Sequence, residues 1–325
     1  MALAPETDEF SRLRSVELPV SLLSHPSRSA PGRHTLAPRK QPRAVSPAES
    51  LQRFVLGLLW GLKPPRLYGL PATLAMVAKH YAGFGSRRGT LPDPDAALRR
   101  PDGLAGIVGD LSVPTLRGAY SKGLFPQAHA GPQKWWAPKE RMALFIEDFH
   151  FEKNLRRRLK QQEFRVTFYQ AFDAVIRACA EPRPGRLHVT WIRPDIIEAF
   201  TRAFHAGIAH SVEVWDGDGE LVGGAYGLGV GRVFFTESQF ARKRDASKVG
   251  FATLNCHLQR WGYVLNDGKL LTGHLSQMGF TLIPRGAFNA LLAKACTEPG
   301  RDGRWAVDPS IDVARWNPKS VRLAA

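Results

Sequence analysis

Apolar positions keep no regular period before residue 50; beyond it they follow helical and then mixed spacings. Leu51 to Leu62 and Pro71 to Tyr81 carry helical spacing and predict two helices. A Pro/Asp/Arg-rich linker follows from Ser86 to Asp102. Ser112 is placed to cap a helix with Pro114 in its first turn, running to Lys122 and stopped by Gly123. Loop-like sequence surrounds Trp135-Trp136-Ala-Pro138. From Phe145 helices and strands alternate. Strands are predicted at Phe164–Phe168, Val189–Ile192, Ser211–Trp215, Leu221–Gly227, Arg232–Glu237 and Tyr263–Asp267. Helices are predicted at Tyr169–Cys179, Pro194–Ala206, Ala246–Trp261 and Pro284–Ala295. Asp216-Gly-Asp-Gly219 joins two strands with a strong hairpin signal.

This order predicts an α+β protein in which helix pairs surround a mixed sheet with a central hairpin, similar to the GNAT type of acyltransferase fold. Residues 1–49 read as a disordered leader, interrupted by Pro26, Pro31, Pro38, Pro42 and Pro47. They lack the apolar core of a signal peptide, and Glu6, Asp8 and Glu9 argue against a transit peptide. The longest apolar run, Phe54 to Leu62, is far short of a membrane span.

Charge changes the picture. Lys and Arg number 45 against 29 Asp and Glu, a net charge of +16. The leader holds seven basic and five acidic residues, so about +14 remains on the rest of the chain. That excess points to a polyanion, either nucleic acid or an anionic surface. Three cysteines without CxxC spacing exclude a disulfide scaffold and a cysteine-rich zinc module. The densest basic stretch contains Lys153, Arg156, Arg157 and Lys160, spaced i, i+3, i+4 and i+7 on one helix face. Such a stripe either neutralises phosphates or forms a solvated face.

The Gly-rich run Gly223 to Gly231 lacks the Lys-Ser/Thr of a P-loop and the strand-then-helix setting of a dinucleotide site. It fits a strand shaped for close approach. No HExxH, triad or metal-ligand cluster appears, and His210 reads as structural. Glu237 and Asp267 each end an apolar strand, where a carboxylate serves either a site or a cap.

Several blocks, in order, resemble the leucyl/phenylalanyl-tRNA–protein transferases. They are Asp102–Ser112, Ala119–Pro126, Trp135–Pro138, Thr190–Ile192, Ala209–Trp215, Leu221–Gly227, Phe235–Phe240, Ala246–Lys248 and Ile283–Arg285. The resemblance spans residues 101–296. It implies a small N-terminal domain (101–140) before a GNAT-like catalytic domain (141–296) with a mixed, mainly antiparallel sheet. A helical extension (50–100) precedes these and a tail (297–325) follows. It implies a cytoplasmic enzyme that moves Leu, Phe or Met from aminoacyl-tRNA to the α-amino group of proteins beginning with Arg or Lys, tagging them for degradation. No cofactor, metal or membrane is implied, and a monomer suffices. By the same resemblance Asp267 handles the amino group and Glu237 orients the substrate. Phe234, Leu254 and Leu258 wall the apolar side-chain pocket, while Trp191 lies near the terminal adenosine. Tyr226 and Ser238 flank that cleft, and the stripe from Lys153 to Lys160 meets the tRNA acceptor stem.

This chain also departs from the family pattern. Gln127 stands where Trp is usual, Ala225 where Met is common, and Thr236 where Gly is common. Lys269 replaces a glutamine two residues beyond Asp267; strand alternation would set the two side chains on one face, where the cation would lower the basicity of Asp267 and repel a basic acceptor. Two other classes compete with the transferase. An acyl-CoA enzyme needs a pyrophosphate loop that is missing from the sequence. A tRNA-binding paralogue without catalysis is motivated by Gln127 and Lys269.

Overall fold

The computed structural model describes residues 47–61, 66–84, 90–152, 154–182, 189–301 and 303–320. Most of the leader, residues 1–46, lies outside them. Two helices come first, α1 (Pro47–Gly61) and α2 (Leu70–Lys79). Then follow β1 (Leu104–Ile107), α3 (Val113–Ser121), β2 (Phe125–Pro126) and β3 (Lys134–Trp136). Ser112 caps α3 as predicted, accepting the Thr115 N–H, with Pro114 in the first turn. The three strands form a small antiparallel sheet in the order β1-β3-β2. Trp135–Trp136, read as loop, are in its central strand.

The larger unit contains β4 (Glu140–Phe145), α4 (Leu155–Gln161), β5 (Arg165–Phe168), α5 (Phe172–Ala180) and α6 (Pro194–His205). It continues with β6 (Ala209–Trp215), β7 (Leu221–Val230), β8 (Val233–Ala241) and α7 (Ala246–Arg260). It closes with β9 (Leu265–Lys269), α8 (Gly273–Ser276), β10 (Thr281–Pro284) and α9 (Arg285–Ala295). Its seven strands run in the order β10-β4-β9-β8-β7-β6-β5. Every neighbouring pair is antiparallel except β8–β9, which is parallel. The α+β class with a mixed, mainly antiparallel sheet is therefore as the sequence predicts.

One expectation fails. Val189–Ile192 forms no strand: the Thr190 hydroxyl takes the Ile192 N–H in a local turn instead. In the described part of the C-terminal tail, Trp305 and Trp316 are buried. Trp305 stacks on His210 with ring centroids 3.6 Å apart.

Strand alternation divides the core into two layers. One face of the large sheet carries Tyr226, Leu228 and Phe235 and packs with α3, α5, α6 and the small sheet. The other carries Phe234 and packs against Leu254 and Leu258 of α7 and against Trp305. Gly227 and Gly229 of β7 serve this second layer. A Cβ on Gly227 would lie 2.7 Å from the Phe234 ring, and one on Gly229 3.0 Å from the Tyr263 hydroxyl. The Gly-rich run is thus a strand shaped for close packing.

Candidate functional site

The site follows from the one parallel pair. β8 and β9 stay in register only from Val233↔Leu265 to Phe235↔Asp267. Beyond that point they part, leaving a crevice at the carboxyl ends of two parallel strands, the usual place for a ligand in such sheets. Two backbone irregularities aim side chains into it. Opposite β7, Tyr226 pairs with Ser238 and Gly227 with Thr236, so Glu237 is the extra residue of a β-bulge. A bulge re-aims a side chain in this way. Lys269 has φ +66°, a left-handed conformation that costs a non-glycine residue about 1–3 kcal/mol and requires compensating contacts.

Those contacts are explicit. The Lys269 ammonium donates to Glu237 Oε1 at 2.6 Å and to the Thr236 carbonyl at 2.7 Å, bridging the parted strands. It also lies 5.7 Å from the Tyr120 ring centre and 5.8 Å from that of Phe125. Tyr120 donates its hydroxyl to the same Glu237 oxygen at 2.6 Å. Asp267 is held differently. Arg141 of β4 grips it with Nε and Nη2, both at 2.8 Å, and the Lys269 backbone N–H adds a third bond at 2.9 Å. Arg141 spends its remaining reach on the Gly123 carbonyl at 2.9 Å, tying the large sheet to the loop before β2.

All four charged groups are buried. Burial pushes the Glu237 carboxyl up, opposed by the Lys269 cation and the bonds from Lys269 and Tyr120. Burial likewise pushes Lys269 down, opposed chiefly by Glu237 and Asp267. The Tyr120 and Tyr226 hydroxyls are driven upward, first by burial and then by the Glu237 charge. Two atoms of the cluster have no hydrogen-bond partner among the described residues: Glu237 Oε2 and the Tyr226 hydroxyl.

The structure brings together Asp267, Glu237, Lys269 and Tyr226, and it corrects the expected relation of Lys269 to Asp267. The left-handed turn at Lys269 breaks strand alternation, so its ammonium pairs with Glu237 while Asp267 is gripped by Arg141. Arg141 and Tyr120 were not singled out in the sequence. Arg141 lies in a strand the pattern did not show, although its position at the head of the apolar run Met142–Ile146 was a usable signal. Phe234, Leu254 and Leu258 are fully buried on the opposite face with α7, away from Asp267 and Glu237. Thr236 is on that face too, donating to Asn266 Oδ1 at 2.8 Å. Ala225 lies in β7 paired with Gln239, and Ser238 is half-buried beside Glu237. Trp191 packs part-buried against the first core layer. Gln127 follows β2, its backbone carbonyl accepting from Trp136 Nε1 at 2.7 Å.

The basic stripe divides as well. Lys153 lies outside the described residues. Arg157 and Lys160 are exposed and form no ion pair among them. Arg156 turns inward: it donates to the carbonyls of Ala314 at 2.8 Å and Trp316 at 3.1 Å and lies 3.9 Å over the Phe151 ring. In the structure it thus points away from the exposed Arg157 and Lys160.

The crevice is closed, whereas an open cleft of about 350 Å³ lies elsewhere, lined by Tyr169, Asp173, Thr201, His205 and Arg304 among others. Among the described residues, no group of three or more His, Cys, Asp and Glu is placed to hold a metal ion, and no helix is long and apolar enough to cross a membrane.

Carboxylates, an ammonium and two phenols around a closed crevice can hold and deprotonate a polar nucleophile, and similarity to known proteins places the chain among group-transfer enzymes. The family described as leucyl/phenylalanyl-tRNA protein transferase matches residues 143–293. Curated relatives bear that name, three of them as follows. The one from Azotobacter vinelandii is 47% identical over 204 residues, 62% of this chain and 89% of the relative. That from Ectopseudomonas mendocina is 48% identical over 63% of this chain and 90% of its own length. That from Aromatoleum aromaticum is 44% identical over 70% and 96%. The chain belongs to the leucyl/phenylalanyl-tRNA–protein transferase family and is an aminoacyltransferase.

Proposed function

We propose that the protein moves Leu, Phe or Met from aminoacyl-tRNA to the α-amino group of a protein beginning with Arg or Lys. It does so as a cytoplasmic monomer and marks that protein for degradation. The observation that supports this reading is identity of 44–48% over 89–96% of the length of the relatives.

An α-ammonium, with a pKa near about 8, must lose a proton before its nitrogen attacks the aminoacyl ester. The ester is already activated, so positioning and a modest base suffice. Arg157 and Lys160, with Lys153, take acceptor-stem phosphates, and Trp191 offers a face to the terminal adenosine. Phe234, Leu254 and Leu258 act from behind the sheet, fixing β8. Because the crevice is closed, substrate entry must part the Tyr120–Glu237 and Arg141–Gly123 bonds between the small sheet's loops and the large sheet.

A second reading keeps the reaction but changes the acceptor. Arg141, Asp267, Glu237 and Lys269 sum to zero charge, so no uncompensated carboxylate draws a basic first residue.

The test is incubation with leucyl-, phenylalanyl- or methionyl-tRNA and peptides beginning with Arg, Lys, Ala or Glu, with transfer read by mass spectrometry. Transfer to Arg and Lys peptides supports the first reading. Transfer to the others alone supports the second. No transfer from any charged tRNA, with tRNA binding intact, overturns both.

A further inference from the structure

The two carboxylates of the crevice differ in what they have left to offer. Asp267 carries three donors on its two oxygens. Protonating it would remove the charge that a bidentate guanidinium holds and leave Arg141 buried without a counter-charge, which is strongly unfavourable. Glu237 spends one oxygen on Lys269 and Tyr120 and keeps the other bare. A buried carboxylate oxygen without a donor is rare and calls for a ligand or a role. The Tyr226 hydroxyl is bare as well, and the Glu237 charge acts on it directly. A group bound at these two atoms must donate to a carboxylate and bond to a phenol, which a primary amine can do.

Resting on the transferase reading above, we propose that Glu237 Oε2 and the Tyr226 hydroxyl receive the acceptor's α-amino group, and that Glu237, held by Lys269, is the base that takes its proton. Asp267 is then a positioning residue, acting through Arg141 and the Lys269 backbone.

The step balances. The α-ammonium gives a proton to Glu237 Oε2 and becomes a neutral amine. Its nitrogen pair forms a bond to the ester carbonyl carbon, and the bond from that carbon to the ribose oxygen of the tRNA breaks. Glu237 hands its proton to the departing ribose oxygen and takes the surplus proton from the new amide nitrogen. That proton passes to water, leaving the carboxylate as it began. Nothing is oxidised or reduced.

Burial suits Glu237 to this work, because raising a carboxyl toward neutral pH improves it as a base. Lys269 sets the limit of that rise. It occupies Oε1 alone, so it holds the carboxylate without filling the receiving oxygen. The strained backbone at Lys269 and the bulge at Glu237 are the two devices that make this arrangement possible.

The experiment measures transfer from phenylalanyl-tRNA to a peptide with a free α-amino group, as kcat against pH. The double variant Glu237→Gln/Lys269→Gln removes both charges and keeps both shapes. It should lower kcat by about 10²–10⁴ while tRNA affinity holds. Lys269→Gln alone should move the acid limb of the profile to higher pH, since Glu237 without its cation keeps its proton longer. Added ethylammonium should return the limb toward its original position in Lys269→Ala, a rescue that a purely structural lysine does not give. A double variant within about threefold of the wild type overturns the assignment, as does an acid limb unmoved in Lys269→Gln. If the wild type moves no amino acid from any charged tRNA, the transferase reading falls and this assignment with it. Transfer by both wild type and double variant overturns the assignment alone.

Discussion

Two ion pairs lie within one crevice and have opposite characters. Arg141–Asp267 uses both carboxylate oxygens: a bidentate pair, buried, with a backbone N–H as third donor. Lys269–Glu237 is equally buried but shares a single oxygen. The first is a brace between β4, β9 and the loop before β2. The second retains a free bonding site. A buried charge can therefore be structural or reactive depending on how many of its lone pairs are already used, and burial alone does not tell the two apart.

The largest expected effect breaks the brace. Asp267→Ala leaves the Arg141 guanidinium buried without a counter-charge and should cost about 3–5 kcal/mol of stability, read by denaturant unfolding. Loss of transfer in that variant would then report unfolding as much as chemistry. Replacing both partners, as in Arg141→Met/Asp267→Leu, should cost much less, because no orphaned charge remains. Equal losses in the single and double variants would show that the pair is not a brace.

Breaking the other pair should produce a different signature. Lys269→Gln leaves Glu237 buried with no cation, and its folded pKa rises further above the ordinary 4.5. The folded state then holds the proton more tightly than the unfolded state. Stability is fully present below pH 4.5 and is lost as pH rises through the folded pKa, so the melting temperature should fall between pH 5 and pH 7. A melting temperature for this variant that climbs between pH 5 and pH 7 would contradict the pairing.

The contrast between the pairs also marks the limit of what the sequence shows. Periodicity located β6, β7, β8 and α7, because long alternating or helical runs bury one face. It set Glu237 and Asp267 at strand ends, whereas both lie inside their strands, β8 (Val233–Ala241) and β9 (Leu265–Lys269). It missed β4, where Arg141-Met-Ala-Leu-Phe145 is nearly continuous in apolar character and carries no alternation, and with it the partner of Asp267. Alternation set Lys269 beside Asp267, because a left-handed φ at a lysine leaves no mark in the residue pattern. The bulge at Glu237 is likewise a register fact, visible only when β7 is laid against β8. The resemblance supplied the family and named the carboxylates, but not which of them still has a free oxygen.

Any pH profile of the reactive pair must be read against the stability limit set on the other face of the sheet. His210 is buried against Trp305, and burial lowers its pKa from 6.5 to about 3. Its contribution to stability is present above pH 6.5 and is lost as pH falls toward 3, so the protein should be weaker by about 2 kcal/mol at pH 5 than at pH 7. His210→Phe should flatten that decline in the melting temperature. If the slope is unchanged, the acid limb of activity cannot be separated from unfolding by this route.

The smallest effect applies the same contrast to the basic helix. Arg156 spends its guanidinium on the Ala314 and Trp316 carbonyls, while Arg157 and Lys160 face solvent with no ion pair among the described residues. Arg157→Gln/Lys160→Gln should weaken tRNA binding and reduce the salt slope of log K by about 2, one unit for each phosphate contact removed, with stability unchanged. Arg156→Gln should do the reverse, costing about 1–2 kcal/mol by leaving two carbonyls unpaired and releasing the C-terminal segment, with little change in slope. Binding titrations at several salt concentrations, paired with melting curves, separate the two. If all three residues moved the slope equally, the inward turn of Arg156 would not persist in the tRNA complex. A cation bonded to backbone carbonyls is already desolvated and satisfied, so it releases few counterions when a phosphate arrives, whereas an exposed one contributes in full.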